Sequence, residues 1–167
     1  MGIVIAKVIS LPDETGTDVV VEYMQCLGEK ALTSLDCHIK LHFLQKALLF
    51  METVPRDRLP DQSGEKLMAD LVIEVDGKEY FLNIELVKSL GRQPIYELRI
   101  DLHKPHWCFR ATFFPKFSDE QQLHYCFVHP FEKVAGLPDP TDGYRDMTFN
   151  VLTDLRCYPT KYAHYFS

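Results

Sequence analysis

Alternation of hydrophobic and polar residues in the middle of the chain predicts a sheet. Three runs, 94–102, 107–115 and 121–129, alternate apolar residues with polar ones. A period of two is typical of β-strands that bury one face and expose the other. The predicted apolar face consists of Tyr96, Leu98, Ile100, Phe109, Leu123, Tyr125 and Phe127. We therefore expect three consecutive antiparallel strands with one apolar and one polar face.

A β-hairpin is predicted just before these strands, over 68–87. Asp76-Gly77 is a strong signal for a two-residue turn. Folding about this turn opposes residues that are apolar on both strands, namely Ile73 with Tyr80, Leu71 with Leu82 and Ala69 with Ile84. This register buries one face consistently. The other face carries mostly acidic residues, which are Asp70, Glu74, Glu79, Asn83 and Glu85.

The N-terminal segment predicts a strand followed by a helix. Residues 2–9 form a short β-branched run, which is typical of a strand. Thr17 or Asp18 is placed to cap a helix, and Gly28 is a stop signal for it. Apolar residues recur between them at helical spacing, at Val20, Tyr23, Met24 and Leu27.

A second helix gives the strongest local signal in the chain. Thr33 and Asp36 form a start that resembles a capping box, and Pro55 ends the segment. Its predicted apolar face consists of Leu35, Ile39, Phe43, Ala47 and Phe50. After a loop over 137–143, a last helix is predicted over 146–155. We expect the aromatic tail that follows it to dock on the body of the protein.

Together these elements predict an α+β fold in one domain. We expect two N-terminal helices packed on a mostly antiparallel sheet with an inserted β-hairpin. The parts of this single domain, 1–167, are 1–55 for the strand and two helices, 68–87 for the hairpin, 94–130 for the core strands and 131–167 for the C-terminal segment. Because such helices cover one face of a sheet, we expect the polar face to stay partly open.

Composition and charge narrow the function classes. The 167 residues are 46% hydrophobic, which is an ordinary globular composition with enough apolar residues for a core. The net charge of −6 argues against a general nucleic-acid binder, since such proteins are usually basic. Five cysteines without closely spaced pairs, no recognisable leader peptide and no apolar run of membrane length predict a cytoplasmic protein with reduced thiols and no membrane contact.

The polar face of the predicted strands carries groups suited to phosphate chemistry. RNA cleavage without a metal requires a base for the 2′-hydroxyl, a cation beside the phosphorus and an acid for the leaving oxygen. Arg99 and Arg110 fit the cationic role, because a guanidinium fork matches a phosphate. His124 or His129 fits proton transfer near neutral pH. The alternative is a solvated face on which the two arginines pair with their acidic neighbours.

Three motifs in these strands point to a known family. They are Lys88-Ser-Leu-Gly-Arg-Gln-Pro-Ile-Tyr-Glu-Leu-Arg-Ile100, Cys108-Phe-Arg-Ala-Thr-Phe113 and His124-Tyr-Cys-Phe-Val-His129. This stretch, roughly 86–130, resembles the core of RelE/HigB-type toxins and their phage-derived relatives. The resemblance implies a RelE-like fold and metal-independent cleavage of mRNA, commonly on the ribosome. It also implies an antitoxin as a protein partner and no cofactor.

The resemblance carries the basic residues of the family onto positions of this chain. Arg99 and Arg110 match those of two neighbouring core strands and are implied to bind RNA. The family's basic pair after the last strand aligns with His129 and Pro130, and Lys133 lies close by as a further RNA-binding candidate. With His124 of the polar face, the candidate catalytic residues are Arg99, Arg110, His124 and His129. The incomplete basic pair leaves a second hypothesis open, a catalytically inactive relative that acts as a protein-binding module.

A third hypothesis is a metal-dependent nuclease of the PD-(D/E)xK type. Asp70 and Glu85 would bind a divalent metal, and Lys88 would orient the attacking water. Glu85 and Lys88 are three residues apart, so on a regular strand their side chains point to opposite faces. Regular alternation likewise puts His129 on the face opposite to His124. The histidines and cysteines near the core strands indicate chance clustering, so no metal site is predicted.

Overall fold

The computed structural model of the chain describes residues 3–62 and 65–167. Its strands are β1 (Ala6–Ser10), β2 (Lys66–Val75), β3 (Lys78–Ser89), β4 (Tyr96–Leu102), β5 (Trp107–Phe117) and β6 (Leu123–Glu132). Its helices are α1 (Val19–Ala31), α2 (Leu35–Met51), α3 (Thr141–Cys157) and α4 (Pro159–Tyr162). Gly2, where the first strand was predicted to begin, lies outside the described residues. No helix in the described ranges has the length and apolar character needed to cross a bilayer.

The strands form one mixed sheet in the order β1-β6-β5-β4-β3-β2. β1 runs parallel to β6, and the other neighbouring strands are antiparallel. The sheet is mixed and curls into a half-barrel, so the prediction of a RelE-like fold, with two helices on a mostly antiparallel sheet, is wrong, although the class remains α+β. An alternation pattern reports which face is buried, but it does not report which strand lies beside β1 or how far a twisted sheet curls.

β2 and β3 form the predicted hairpin about Asp76-Gly77. The structure confirms the predicted pairs Ile73 with Tyr80, Leu71 with Leu82 and Ala69 with Ile84. Asp76 and Gly77 both have positive φ, at 50° and 76°. Positive φ at both central residues is what a type I′ turn requires, and its twist matches that of the flanking strands. Local turn chemistry and alternation therefore define this register together.

α1 begins as predicted and ends later than predicted. The Asp18 carboxylate accepts a hydrogen bond from Val21 N at 3.1 Å, which is the role of an N-cap. The predicted stop at Gly28 is wrong, because the helix continues to Ala31. A glycine inside a helix costs only about 1 kcal/mol relative to alanine. Burial of residues such as Leu27 in the core offsets a cost of that size.

α2 is capped by Ser34, whose hydroxyl accepts a hydrogen bond from Cys37 N at 3.2 Å, and not by the predicted Thr33. Its buried residues are Ile39, Phe43, Leu44, Ala47 and Met51. Of the predicted apolar face, Leu35 is exposed and Phe50 is only partly buried. The sequence pattern thus located the helix and the centre of its buried face. The two ends of the predicted face are not fully buried.

Two apolar clusters lie on opposite faces of the sheet. The larger cluster fills the space between the sheet and α1 and α2. The smaller cluster lies under α3 and the tail and contains Leu11, Ile95, Phe114, Cys126, Val128, Val151, Leu152, Leu155 and Tyr162. The polar face is therefore covered over β5 and β6, and the expectation of an open face is wrong there. Tyr165 and Phe166 pack against this cluster, which confirms the docked tail.

α3 is longer than predicted. It begins at Thr141, five residues before the predicted start of 146–155, so only the first part of 137–143 is a loop. Asp139 accepts hydrogen bonds from the backbone N and the hydroxyl of Thr141, at 3.0 and 2.6 Å. These bonds satisfy a backbone donor that the first turn leaves free, which explains a helix start in a segment rich in proline and aspartate.

Candidate functional site

A cross-strand row on the polar face joins four strands. Glu97 of β4 lies opposite Lys88 of β3 and, on the other side, opposite Thr112 of β5. Thr112 in turn lies opposite His129 of β6. Residues directly opposite each other point to the same face of a sheet. One row therefore holds a carboxylate, an ammonium group, a hydroxyl and an imidazole.

The next row places the two predicted arginines side by side. Arg99 of β4 lies directly opposite Arg110 of β5. Each side chain carries a positive charge, and acidic residues surround the pair. We call Glu97, Arg99, Asp101 and Arg110 the arginine cluster. The sequence prediction that Arg99 and Arg110 lie together is confirmed by this register.

Two β-bulges bring Lys88 and His129 onto this face. In β3 the pairing with β2 skips Leu86, and in β6 the pairing with β5 skips Val128. Each extra residue shifts the alternation of side chains by one. Glu85 and Lys88 therefore share a face despite their spacing of three, and His129 joins the face of Arg110. Regular alternation predicted the opposite for both, and that prediction is wrong.

Glu97 is the buried acid of the arginine cluster. Its side chain is 2% exposed, and its Oε1 lies 3.3 Å from Arg99 Nε and 3.5 Å from Arg110 Nε. Although these are ion-pair distances, Glu97 Oε2 and the two Nε atoms have no aligned hydrogen-bond partner among the described residues. Burial raises the pKa of the Glu97 carboxyl, and attraction to Arg110 opposes the shift. A buried carboxyl with a shifted pKa beside cations is typical of functional sites.

Arg110 is the buried counterion of the cluster. Its side chain is 4% exposed, and its Nη1 donates hydrogen bonds to Asp101 Oδ1 and to Phe109 O, both at 2.8 Å. Although burial works to raise it, the hydrogen bond from Arg110 holds the pKa of Asp101 below its ordinary value. Arg110 therefore has its Nη1 directed at protein acceptors and little surface for a ligand.

Arg99 is the more accessible of the two arginines in the cluster. Its side chain is 19% exposed, and its Nη1 donates a hydrogen bond to Glu85 Oε2 at 3.0 Å. The other oxygen of Glu85 lies 2.8 Å from Lys66 Nζ. That hydrogen bond from Lys66, together with attraction to Arg99, lowers the pKa of Glu85. The Arg99 guanidinium is thus held between two carboxylates while part of it faces solvent.

A shallow groove runs beside Arg99 between β3 and β4. Its polar lining residues are Asn83, Glu85, Arg99, Asp101 and His103. His103 is exposed and follows β4, two residues after Asp101. The sequence patterns indicated Glu97 only as an acidic neighbour of the arginines, and they did not indicate His103 as a site residue. His103 could have been found by extending the alternation of Arg99 and Asp101 by two residues.

His129 lies beneath α3. Its Nε2 is 3.2 Å from Glu14 Oε1, and its ring centroid is 5.2 Å from that of Tyr144. The hydroxyl of Thr112, its neighbour in the row, is hydrogen-bonded to that of Thr148 on α3. α3 therefore closes this end of the row against solvent.

His124 lies apart from the arginine cluster. It opposes Lys116, which is six residues along β5 from Arg110, or about 20 Å at the usual rise of a strand. Its Nδ1 is hydrogen-bonded to Gln122 O at 3.0 Å, and its ring packs edge-on against Phe166 at 5.0 Å. Burial lowers its pKa. His124 thus belongs to the contact between the sheet and the tail.

Lys133 lies at the same end of the sheet as Arg110. Its backbone N donates a hydrogen bond to Cys108 O at 2.9 Å, and its Nζ is 3.2 Å from Asp139 Oδ2. Its charge is among those that oppose the raised pKa of Glu97. Of the predicted residues, the structure brings together Arg99, Arg110, His129 and Lys133 and places His124 elsewhere.

The residues of the metal-nuclease hypothesis are engaged with other partners. Both oxygens of Glu85 face cations, Lys66 and Arg99. Asp70 accepts a hydrogen bond from Asn83 Nδ2 at 2.6 Å. Within residues 3–62 and 65–167, no three or more His, Cys, Asp or Glu side chains lie close enough together to hold a metal ion. This donor set does not fit a divalent metal, which prefers several free oxygen ligands.

Comparison with known proteins leaves the family open. No protein-family model, no curated protein and no solved structure matches the chain. The resemblance to RelE/HigB-type toxins rests on the strand motifs, and membership of that family stays a prediction. The arginine cluster and its groove are therefore the main evidence for the function of the chain.

Proposed function

We propose that this chain is a metal-independent endoribonuclease of the toxin type, in which the groove beside β4 binds a phosphate of mRNA. The setting of Arg99 carries the proposal. Its guanidinium lies between Glu85 and Glu97, and 19% of the side chain remains exposed in the groove. A guanidinium that is held in place and still accessible is suited to bind phosphate oxygens.

The proposed cleavage needs no cofactor. The 2′-hydroxyl of a nucleotide loses its proton, and its oxygen bonds to the adjacent phosphorus. The bond from phosphorus to the 5′ oxygen breaks, and that oxygen takes up a proton. The products are a 2′,3′-cyclic phosphate and a 5′-hydroxyl, so the protons balance. Arg99 stabilises the charge on the phosphoryl oxygens during this step.

His103 is the proton-transfer group in this proposal. It is exposed in the same groove as Arg99, and an imidazole suits proton transfer near neutral pH. His124 and His129, to which the sequence patterns gave this role, are both buried. Glu97 and Arg110 act as positioning residues, because Glu97 pairs with Arg99, Arg110 pairs with Glu97, and both have almost no exposed surface.

The negative net charge limits how this protein would bind RNA. With a net charge of −6, affinity from general attraction to phosphates is small. We therefore propose contact with one or two phosphates and a salt dependence of binding with a slope of about −1 to −2. The motif resemblance supports ribosome-bound mRNA as the substrate, an antitoxin as the partner and the cytoplasm as the compartment.

Controlled expression of variants tests the proposal. We expect wild-type protein to slow growth and to cleave mRNA when ribosomes are present, with 5′-hydroxyl ends mapped by primer extension. Arg99→Ala should reduce cleavage by 10²-fold or more, as expected for loss of a transition-state cation. Arg92→Ala is the matched control, since Arg92 also pairs with a carboxylate, that of Asp146 at 2.9 Å, outside the groove.

Two results would contradict the proposed ribonuclease activity. One is wild-type protein that leaves mRNA intact with ribosomes present and does not affect growth. The other is an equal loss of activity in Arg99→Ala and Arg92→Ala at equal folded protein. His103→Ala separates binding from chemistry, because it should lower cleavage while leaving RNA binding unchanged.

A second candidate function is a non-catalytic protein-binding module. It is favoured by the ion pairing of the polar face, where Glu85, Glu97 and Asp101 already neutralise Arg99 and Arg110. A module of this kind predicts that any growth phenotype survives Arg99→Ala and His103→Ala. The ribonuclease predicts that both variants abolish it.

A further inference from the structure

Exposed apolar side chains lie on the outer face of the hairpin. Phe81 of β3 is 64% exposed and lies directly opposite Val72 of β2, which is also exposed. Met68 is exposed on the same face, four residues along β2 from Val72. We call Met68, Asp70, Val72, Glu74, Glu79 and Phe81 the hairpin face. Clustered exposed apolar residues rimmed by polar ones are typical of interaction sites.

The charges of the hairpin face are acidic and unbalanced. Glu74 lies directly opposite Glu79 across the two strands, and like charges in such a pair are destabilising. Among residues 3–62 and 65–167, no ion pair involves Asp70, Glu74 or Glu79. A partner with positive charges would remove the repulsion that the isolated hairpin retains.

The hairpin face continues onto an edge of the sheet. β2 is the last strand in the order of the sheet and runs for ten residues, Lys66–Val75. An edge strand presents backbone N–H and C=O groups that an extended segment can pair with. Side chains of such a segment would lie beside Asp70, Val72 and Glu74, in the order acidic, apolar, acidic.

Charge complementarity argues against a second copy of this chain as the occupant. In an antiparallel pairing of two β2 edges centred on Val72, Asp70 of each copy would face Glu74 of the other. The whole chain also carries a net charge of −6. Self-association would add repulsion to the pair of Glu74 and Glu79, whereas a basic segment would neutralise it.

We infer that the hairpin face and the β2 edge bind an extended basic segment of another protein, whose every second residue is in turn a lysine or arginine, an apolar residue and again a lysine or arginine. The cations contact Asp70, Glu74 and Glu79, and an apolar residue covers Phe81 and Val72. The segment adds a strand to β2. This inference does not rest on the proposed ribonuclease, because none of these six residues belongs to the arginine cluster, although Met68 also lines the groove beside Arg99.

The test uses the full chain and a short labelled peptide with lysine, leucine and lysine at every second position, so that all three side chains lie on the hairpin face. Fluorescence anisotropy should show binding that weakens at least tenfold on Phe81→Ser and on Glu74→Lys with Glu79→Lys. Binding should also weaken as salt rises from about 0.05 to about 0.5 M, because it depends on exposed charges. The same peptide with glutamate in place of lysine should not bind.

Phe117→Ser is the matched control. Phe117 is a similarly exposed phenylalanine, at 46%, and it ends β5 away from the hairpin. We expect this variant to bind like the wild type, and thermal unfolding should show that Phe81→Ser folds normally. Equal binding of basic and acidic peptides, or equal losses in the two phenylalanine variants, would overturn the inference. So would a dimer in sedimentation equilibrium that Phe81→Ser dissociates, since a second copy would then be the occupant.

Discussion

The arginine cluster and the hairpin face both carry several carboxylates, in opposite settings. In the arginine cluster, Glu97 is buried beside two arginines, and its Arg110 neighbour also binds Asp101. On the hairpin face, Glu74 and Glu79 lie opposite each other in solvent. A charge removed from water requires a compensating partner, whereas an exposed charge does not. Folding therefore fixes the partners of the first group and leaves the second group available to another molecule.

Arg110→Ala should give the largest change in stability, and it tests whether the carboxylates of the arginine cluster depend on their buried partners. It leaves Glu97 buried with less compensation, so we expect the free energy of unfolding at pH 7.5 to fall by about 3–5 kcal/mol. Urea denaturation measures this change. The double variant Glu97→Gln with Arg110→Met should recover most of the loss, because a neutral pair needs no counterion.

The same experiment has a defined pH dependence. The pKa of Glu97 is raised in the folded state above the ordinary value of 4.5. Between the two values the folded protein binds more protons than the unfolded chain, so this contribution to stability is present below pH 4.5 and is lost as pH rises through the folded pKa. Removing Arg110 raises that pKa further. The deficit of Arg110→Ala should therefore be smaller at pH 5 than at pH 7.5, and an equal deficit at both would contradict the assignment.

A pair of core and surface substitutions tests which part of the polar face is covered. Leu152 lies on α3 in the smaller apolar cluster and is 2% exposed. We expect Leu152→Ala to lower the free energy of unfolding by about 3 kcal/mol and Phe81→Ala to change it by less than about 0.5 kcal/mol. Thermal or urea denaturation distinguishes them. Similar effects of the two substitutions would mean that the hairpin face is covered, as the face over β5 and β6 is.

Glu79→Lys should give the smallest effect, and with the opposite sign. It replaces the repulsion between Glu74 and Glu79 by an attraction across the strand pair, so we expect a gain of about 0.2–1 kcal/mol in the free energy of unfolding. Glu120→Lys changes the charge of an exposed turn by the same amount and serves as the control. A loss of stability in Glu79→Lys, or an equal gain in both variants, would contradict the unbalanced charge of the hairpin face.

Some of the fold could be predicted because the information lies within short segments. The turn at Asp76-Gly77 and the apolar residues on either side allow only one register that buries a complete face. The apolar faces of β4, β5 and β6 follow from alternation in the same way, and Tyr96, Leu98 and Ile100 are all buried. The pairing of Arg99 with Arg110 depends on these local patterns, so the sequence was enough to predict that they lie together.

Other features depend on contacts between distant segments. The bulges at Leu86 and Val128 have no residue type that marks them, yet each decides the face of the residues that follow. His129 was assigned to the wrong face for this reason. The position of α3 over β5 and β6 depends on the packing of its apolar residues on the sheet. That position decides which polar groups are removed from water.

Residue patterns were enough to predict the strands, the hairpin register and the residues available for phosphate chemistry. The tertiary structure buries Glu97 between two arginines, places His124 under the tail and gives His103 a groove shared with Arg99. It also decided that the acids of the hairpin face remain exposed. The physical reason is that strand alternation is a property of neighbouring residues, whereas the solvation of a charge depends on every segment that packs around it.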